Sequence, residues 1–174
     1  MPAAAKTSLP DARPFIITRR FDAPRDRVWQ ANTECRHLMH WWGPKGFTMQ
    51  HCTIDLRPGG LFHYGMRSPD GHTMWGKFIY REVVAPERLV FVVSFSDQAA
   101  GVTRHPMSPT WPLEVQSTTT FAEEAGGTAL TISWAPINAT PEERATFDAG
   151  HAGMTQGFTG TFDQLAAYLA QTAG

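Results

Sequence analysis

Trp41-Trp42-Gly43-Pro44, and then Asp55-Leu56-Arg57-Pro58-Gly59-Gly60, decide how this chain is read. A tryptophan pair running into Gly-Pro cannot continue a helix, because proline lacks the amide donor and drives its predecessor out of the helical region. A helix therefore ends at the two indoles. Large apolar rings with one N–H each suit the rim of a hollow or a domain corner better than a dry core. At least one of the two rings is expected to cap a cavity or its entrance, the alternative being a plug at the base of the core. Asp55 and Arg57 share one face of a strand beside the glycine pair, and an ion pair or a backbone contact at the turn is expected of them.

Outward from this stretch the chain alternates. Phe15 to Phe21 is β-branched and aromatic and stops at Asp22-Ala23-Pro24, so a strand leads into short helices over about 24–33 and 34–42. Strands follow near 49–56, 61–67, 74–84, 88–95, 113–121 and 129–134, separated by Pro58-Gly59-Gly60, Pro69-Asp70-Gly71 and Gly126-Gly127. Thr140-Pro141-Glu142-Glu143 is a capping box, and Phe147, Met154, Phe158, Phe162, Leu165 and Leu169 recur after it at helical spacing. The expected architecture is α+β: an antiparallel sheet of six or seven strands curled around one long C-terminal helix that runs unbroken to about Ala170. Gly150, Gly153, Gly157 and Gly160 form a second stripe on that helix, for which close packing against the sheet is the favoured reading over open volume.

The order and spacing of Phe21-Asp22-Ala23-Pro24, Val28-Trp29, the two stretches above, Pro86-Glu87-Arg88-Leu89-Val90-Phe91 and Gly153-Met154-Thr155-Gln156-Gly157-Phe158 carry a resemblance. The chain resembles the SRPBCC superfamily, with its START-like or pollen-allergen-like helix-grip fold, and within it the AHSA-like branch named after the activator of heat-shock-protein ATPase. The likeness runs from about Phe15 to Leu169. Cys35-Arg36 stands where that branch usually has Asp-Pro, and Phe158 where Trp is usual. The resemblance implies the helix-grip fold and a habit of binding hydrophobic small molecules, and it implies no catalytic group.

With 174 residues, 15 basic against 16 acidic, the chain reads as one domain over 15–170 behind a flexible leader over 1–14. Near-balanced charge gives no footprint for nucleic acid, and no apolar run reaches membrane-spanning length. Cys35 and Cys52 form no metal or redox motif, so reduced thiols and a cytoplasmic location are expected, with a homodimer left open.

Alternate strand residues point to one face. Trp41, Trp42, Phe62, Tyr64, Met66, Phe78, Tyr80, Phe91 and Trp134, with His151, Met154 and Phe158 from the helix, are the expected wall of a cavity for a hydrophobic or aromatic ligand. An ordinary hydrophobic core is the competing reading. His151, Tyr64 and Tyr80 would be the acid or base groups if the cavity were a small cyclase, dehydratase or hydrolase-type enzyme. A heat-shock-protein ATPase co-chaperone is a third possibility, on the resemblance alone. Seven histidines lack ligand spacing, so neither metal nor cofactor is expected. The proline-rich segment 97–112 is expected to be either a lid, with Met107 and Trp111 as apolar tips, or a floppy surface loop.

Overall fold

The computed structural model describes residues 13–173. Its elements run β1 (Phe15–Phe21), α1 (Arg25–Thr33), α2 (Cys35–Leu38), β2 (Thr48–Ile54), β3 (Leu61–Arg67), β4 (Thr73–Val84), β5 (Arg88–Ser96), β6 (Val102–Thr103), β7 (Glu114–Glu124), β8 (Gly127–Ile137), α3 (Pro141–Ala149) and α4 (His151–Gln171). All pairings are antiparallel, in the order β1-β8-β7-β5-β4-β3-β2, with the two-residue β6 added to β5. This is the helix-grip α+β arrangement the pattern of strands and helices led us to expect. Nearly all of the leader expected over 1–14 lies outside the described residues.

Register follows from alternation. Phe62 pairs with Phe78, Phe78 with Val93, and Tyr80 with Phe91, so their rings fall on the face toward α4. A bulge between Tyr80 and Glu82 puts an extra residue into β4, so that Tyr80 and Val83, three residues apart, oppose Phe91 and Leu89 on the core side. The β7–β8 hairpin closes through Ala125 and Gly126, both at positive φ, the geometry that a two-residue turn between twisted strands requires. Gly60 is needed for a different reason: a Cβ there would strike the carbonyl oxygen of Asp55. Beside that turn Arg57 Nε donates to Asp55 Oδ2 at 2.7 Å, an exposed ion pair of the kind expected.

The C-terminal half of α4 grips the sheet. Phe162, Leu165 and Leu169 are buried against Phe21, Val28 and Trp29, and each such side chain contributes about 1.5–3 kcal/mol on leaving water. Gln164 Nε2 and Thr161 Oγ1 both donate to the Gly43 carbonyl, at 2.8 and 3.2 Å, which ties the helix to the corner after the tryptophans.

Three expectations are corrected. The C-terminal helix is not continuous: it breaks at Gly150 into α3 and α4, where the Gly150 N–H reaches both Thr146 and Phe147 carbonyls. Glycine is a poor helix former, and the Trp111 ring sits 3.1 Å from where a Cβ on Gly150 would be. The glycine stripe is not close packing either, since a Cβ on Gly153, Gly157 or Gly160 would meet nothing within 4 Å. Finally, Cys35 and Cys52 are not free thiols but form a disulfide, with Cα atoms 5.8 Å apart, joining α2 to the edge strand β2.

Candidate functional site

The tryptophan pair divides its labour. Trp41 is 2% exposed and donates from Nε1 to the Ala31 carbonyl at 2.9 Å, satisfying an acceptor near the end of α1. It borders no cavity and is a structural plug. Trp42, one residue on, stands edge-on to Trp41, Tyr64 and Phe78 at centroid distances of 5.6, 6.0 and 5.7 Å. Its indole N–H is buried without a hydrogen bond.

Between the N-terminal half of α4 and the strands β3, β4, β5, β7 and β8 lies a cavity of about 490 Å³, with an adjoining lobe of about 250 Å³ toward the Gly43-Pro44 corner. Tyr64, Met66, Trp134, Met154 and Pro44 border both lobes. Trp42 and Phe158 border the second. A much smaller void of about 30 Å³ lies deeper, bordered by Phe78, Tyr80 and Phe91 together with Trp42, Trp134 and Phe158. Phe62 is buried in the packed core and touches none of these spaces. The stripe glycines now have a local consequence: Gly153 borders the main cavity and Gly157 the second lobe, so missing side chains leave room along the helix face.

His151 takes another direction. The break at Gly150 resets the helix, and the His151 ring packs between Phe15 and Phe147 at 5.6 and 5.3 Å, off the cavity wall. Tyr64, Tyr80 and His151 therefore face three different surroundings and do not converge on one point. Burial pushes the phenols of Tyr64 and Tyr80 above their ordinary range, and for Tyr64 the nearby Trp42 indole works weakly the other way. Both stay protonated at neutral pH.

The segment 97–112 supplies part of the cavity wall. His105, Pro106, Met107, Trp111 and Pro112 all border the main cavity, with Met107 88% exposed at the outer lip. Trp111 leans on Phe147 at 5.5 Å, and His105 lies 4.6 Å from Phe95. Burial lowers the His105 pKa, which keeps its imidazole neutral near pH 7. Arg104 Nη1 donates to Glu143 Oε2, and the hydroxyls of Thr110 and Thr146 are 2.8 Å apart, so the segment is fastened to α3. The Asp97 carbonyl, 3.1 Å from His63 Nε2, anchors its other end to the outer face of the sheet. His105, Phe95, Val93 and Val115 also belong to the wall, with Met74, Trp75 and Ser94. Val93 and Phe95 were visible in the alternation, whereas His105 carries no periodic signal because its segment has none.

The histidine spacing also has an explanation. His37 Nδ1 lies 2.6 Å from the Tyr168 hydroxyl, and the His40 ring stacks on Tyr168 at 5.5 Å, so the i, i+3 pair clasps one side chain of α4. Among the described residues no group of three or more histidine, cysteine or acidic side chains is placed to hold a metal ion. No helix among them is long and apolar enough to cross a membrane.

Comparison with known proteins agrees with this geometry. Among solved structures, Ms6760 from Mycobacterium smegmatis superposes with a TM-score of 0.72 at 29% identity, over 91% of this chain and 90% of that one. A protein from Arthrobacter aurescens gives 0.74 at 27% identity, over 94% and 89%. A Rhodobacter sphaeroides protein gives 0.76 at 23% identity, over 94% and 96%, a likeness of fold. No curated protein matches the chain. The model of the activator of Hsp90 ATPase homolog 1-like proteins matches residues 22–170, so the chain belongs to that family, the AHSA-like branch of the SRPBCC superfamily.

Proposed function

We propose that this protein binds a hydrophobic or aromatic small molecule between the sheet and the first half of α4. The observation that carries the reading is the cavity of about 490 Å³, whose wall is mostly apolar and aromatic and includes residues of the segment 97–112. Its size lies within the range of ligand pockets, roughly 300–1,000 Å³. A closed hydrophobic core would be packed to crystal-like density and leave no such space.

Acid–base catalysis by Tyr64, Tyr80 and His151 gains no support from their positions, since the three groups do not share a wall. The co-chaperone reading rests on the family description and is independent of the cavity. With the disulfide in place, the cysteines no longer argue for the cytoplasm.

The test is titration with an uncharged apolar fluorophore, using Met154→Trp as the blocking variant. Met154 borders both lobes, and an indole there would occupy volume that the ligand needs. Binding weakened at least tenfold in a variant that retains native circular dichroism is the expected result. Equal binding by variant and parent would remove the ligand from this cavity.

A further inference from the structure

We propose, building on the ligand reading above, that the cavity selects an uncharged apolar molecule carrying a single carbonyl-type acceptor, which the Tyr64 hydroxyl meets.

The first part rests on what the wall omits. No lysine, arginine, aspartate or glutamate borders either the main cavity or its second lobe. Arg104, beside the cavity-lining His105, is engaged by Glu143. A carboxylate brought into such a space would lose its hydration and find no cation, which strongly disfavours the charged form. One feature of the fold would favour an anion, namely the start of α4 at the cavity edge. That end carries little net field, because the C-terminus of α3, with the opposite partial charge, meets it at Gly150.

The second part rests on two donors. Tyr64 is nine-tenths buried and borders both lobes, and its hydroxyl lies where a Cβ on Gly76 would be, so glycine at that position makes the space it occupies. Trp42, a donor only, stands behind Tyr64 with its N–H closed to solvent and unpaired. An indole N–H offers no acceptor, so Trp42 cannot take the phenol proton, which is left to be donated elsewhere. Because burial raises the Tyr64 pKa, that proton stays in place across the physiological range. A neutral carbonyl oxygen satisfies this arrangement, and a hydrocarbon does not.

Three probes with one ring skeleton decide the matter: naphthalene, 2-acetylnaphthalene and 2-naphthoate, titrated calorimetrically into the full chain at neutral pH. The ketone should bind at least tenfold tighter than the carboxylate and several-fold tighter than the hydrocarbon. Tyr64→Phe should reduce the ketone to the affinity of naphthalene, a loss of about two- to tenfold for one neutral hydrogen bond. Should that variant fail to fold, the order of the three probes on the parent protein still decides. Carboxylate binding equal to or tighter than ketone binding, or a ketone no better than naphthalene, overturns the selectivity while the ligand reading stands. If none of the three binds, both readings fall.

Discussion

Replacing Trp41 with alanine should be the most damaging single change at the tryptophan corner. The ring is 2% exposed, so its removal is a large-to-small core substitution of the kind that loses about 3–5 kcal/mol. The upper half of that range is expected, because the Ala31 carbonyl also loses its 2.9 Å partner, which adds about 1 kcal/mol. With a urea dependence of about 2 kcal/mol per molar, the middle of the usual range, the unfolding midpoint should fall by roughly 2–2.5 M. A domain near the low end of ordinary stability, about 5–15 kcal/mol, would survive the change with little margin. Far-ultraviolet circular dichroism is the suitable probe, because removing one of six tryptophans alters fluorescence by itself. Trp41→Phe keeps most of the ring and drops the N–H, and it should lose roughly 1–3 kcal/mol. Trp42→Ala, at a half-buried position beside the cavity, should lose less stability than Trp41→Ala and change the affinity for an apolar probe. A loss below about 1.5 kcal/mol for Trp41→Ala, or equal losses for the two tryptophans, would refute the division into plug and wall.

Gly153→Ala and Gly157→Ala should each raise stability by about 0.5–1 kcal/mol, since both are helical and a Cβ meets nothing; a lower melting temperature would expose a contact that the geometry does not contain. The Glu143 carboxyl is held below the usual glutamate range first by the Thr140 backbone N–H and then by Arg104. A depressed folded-state pKa means that its stabilisation is complete above the unfolded value and lost as pH falls through the folded one, so Glu143→Gln should flatten the acid limb of stability between about pH 6 and pH 3. An unchanged limb would show that the carboxylate contributes nothing. Removing the Cys35–Cys52 bridge by double serine substitution releases a loop with a sequence separation of 17 and should lower stability by about 3 kcal/mol. Two free thiols titrated in the unfolded, unreduced protein would refute the bridge.

Much of the fold was legible because period and punctuation agreed. Phe62, Tyr64 and Met66 alternate with His63 and Gly65, and the capping box at Thr140 announced α3, where both its reciprocal hydrogen bonds form. What stayed hidden depended on tertiary proximity. Cys35 and Cys52 sit on elements whose apposition no local pattern encodes. The break falls at Gly150, where Trp111 approaches from another segment, and the direction of His151 follows from that break. The wall of the cavity was partly readable: Tyr64, Met66, Trp134, Met154 and Phe158 follow from alternation and helical spacing, whereas Trp41 and Trp42 differ in role by a single residue of register.

The interruption at Gly150 separates the molecule into a part that holds and a part that can be exchanged. α4 is fixed to β1 and to the Gly43 corner, while α3 is fastened through Arg104 and Thr110 to the segment before β7. Residues 97–112 and 141–149 are thus tied to one another, and α3 meets α4 at a single glycine. Substitutions spread across both of these segments can reshape the mouth of the cavity, and with it the choice of guest, without disturbing the packing that keeps the sheet on its helix.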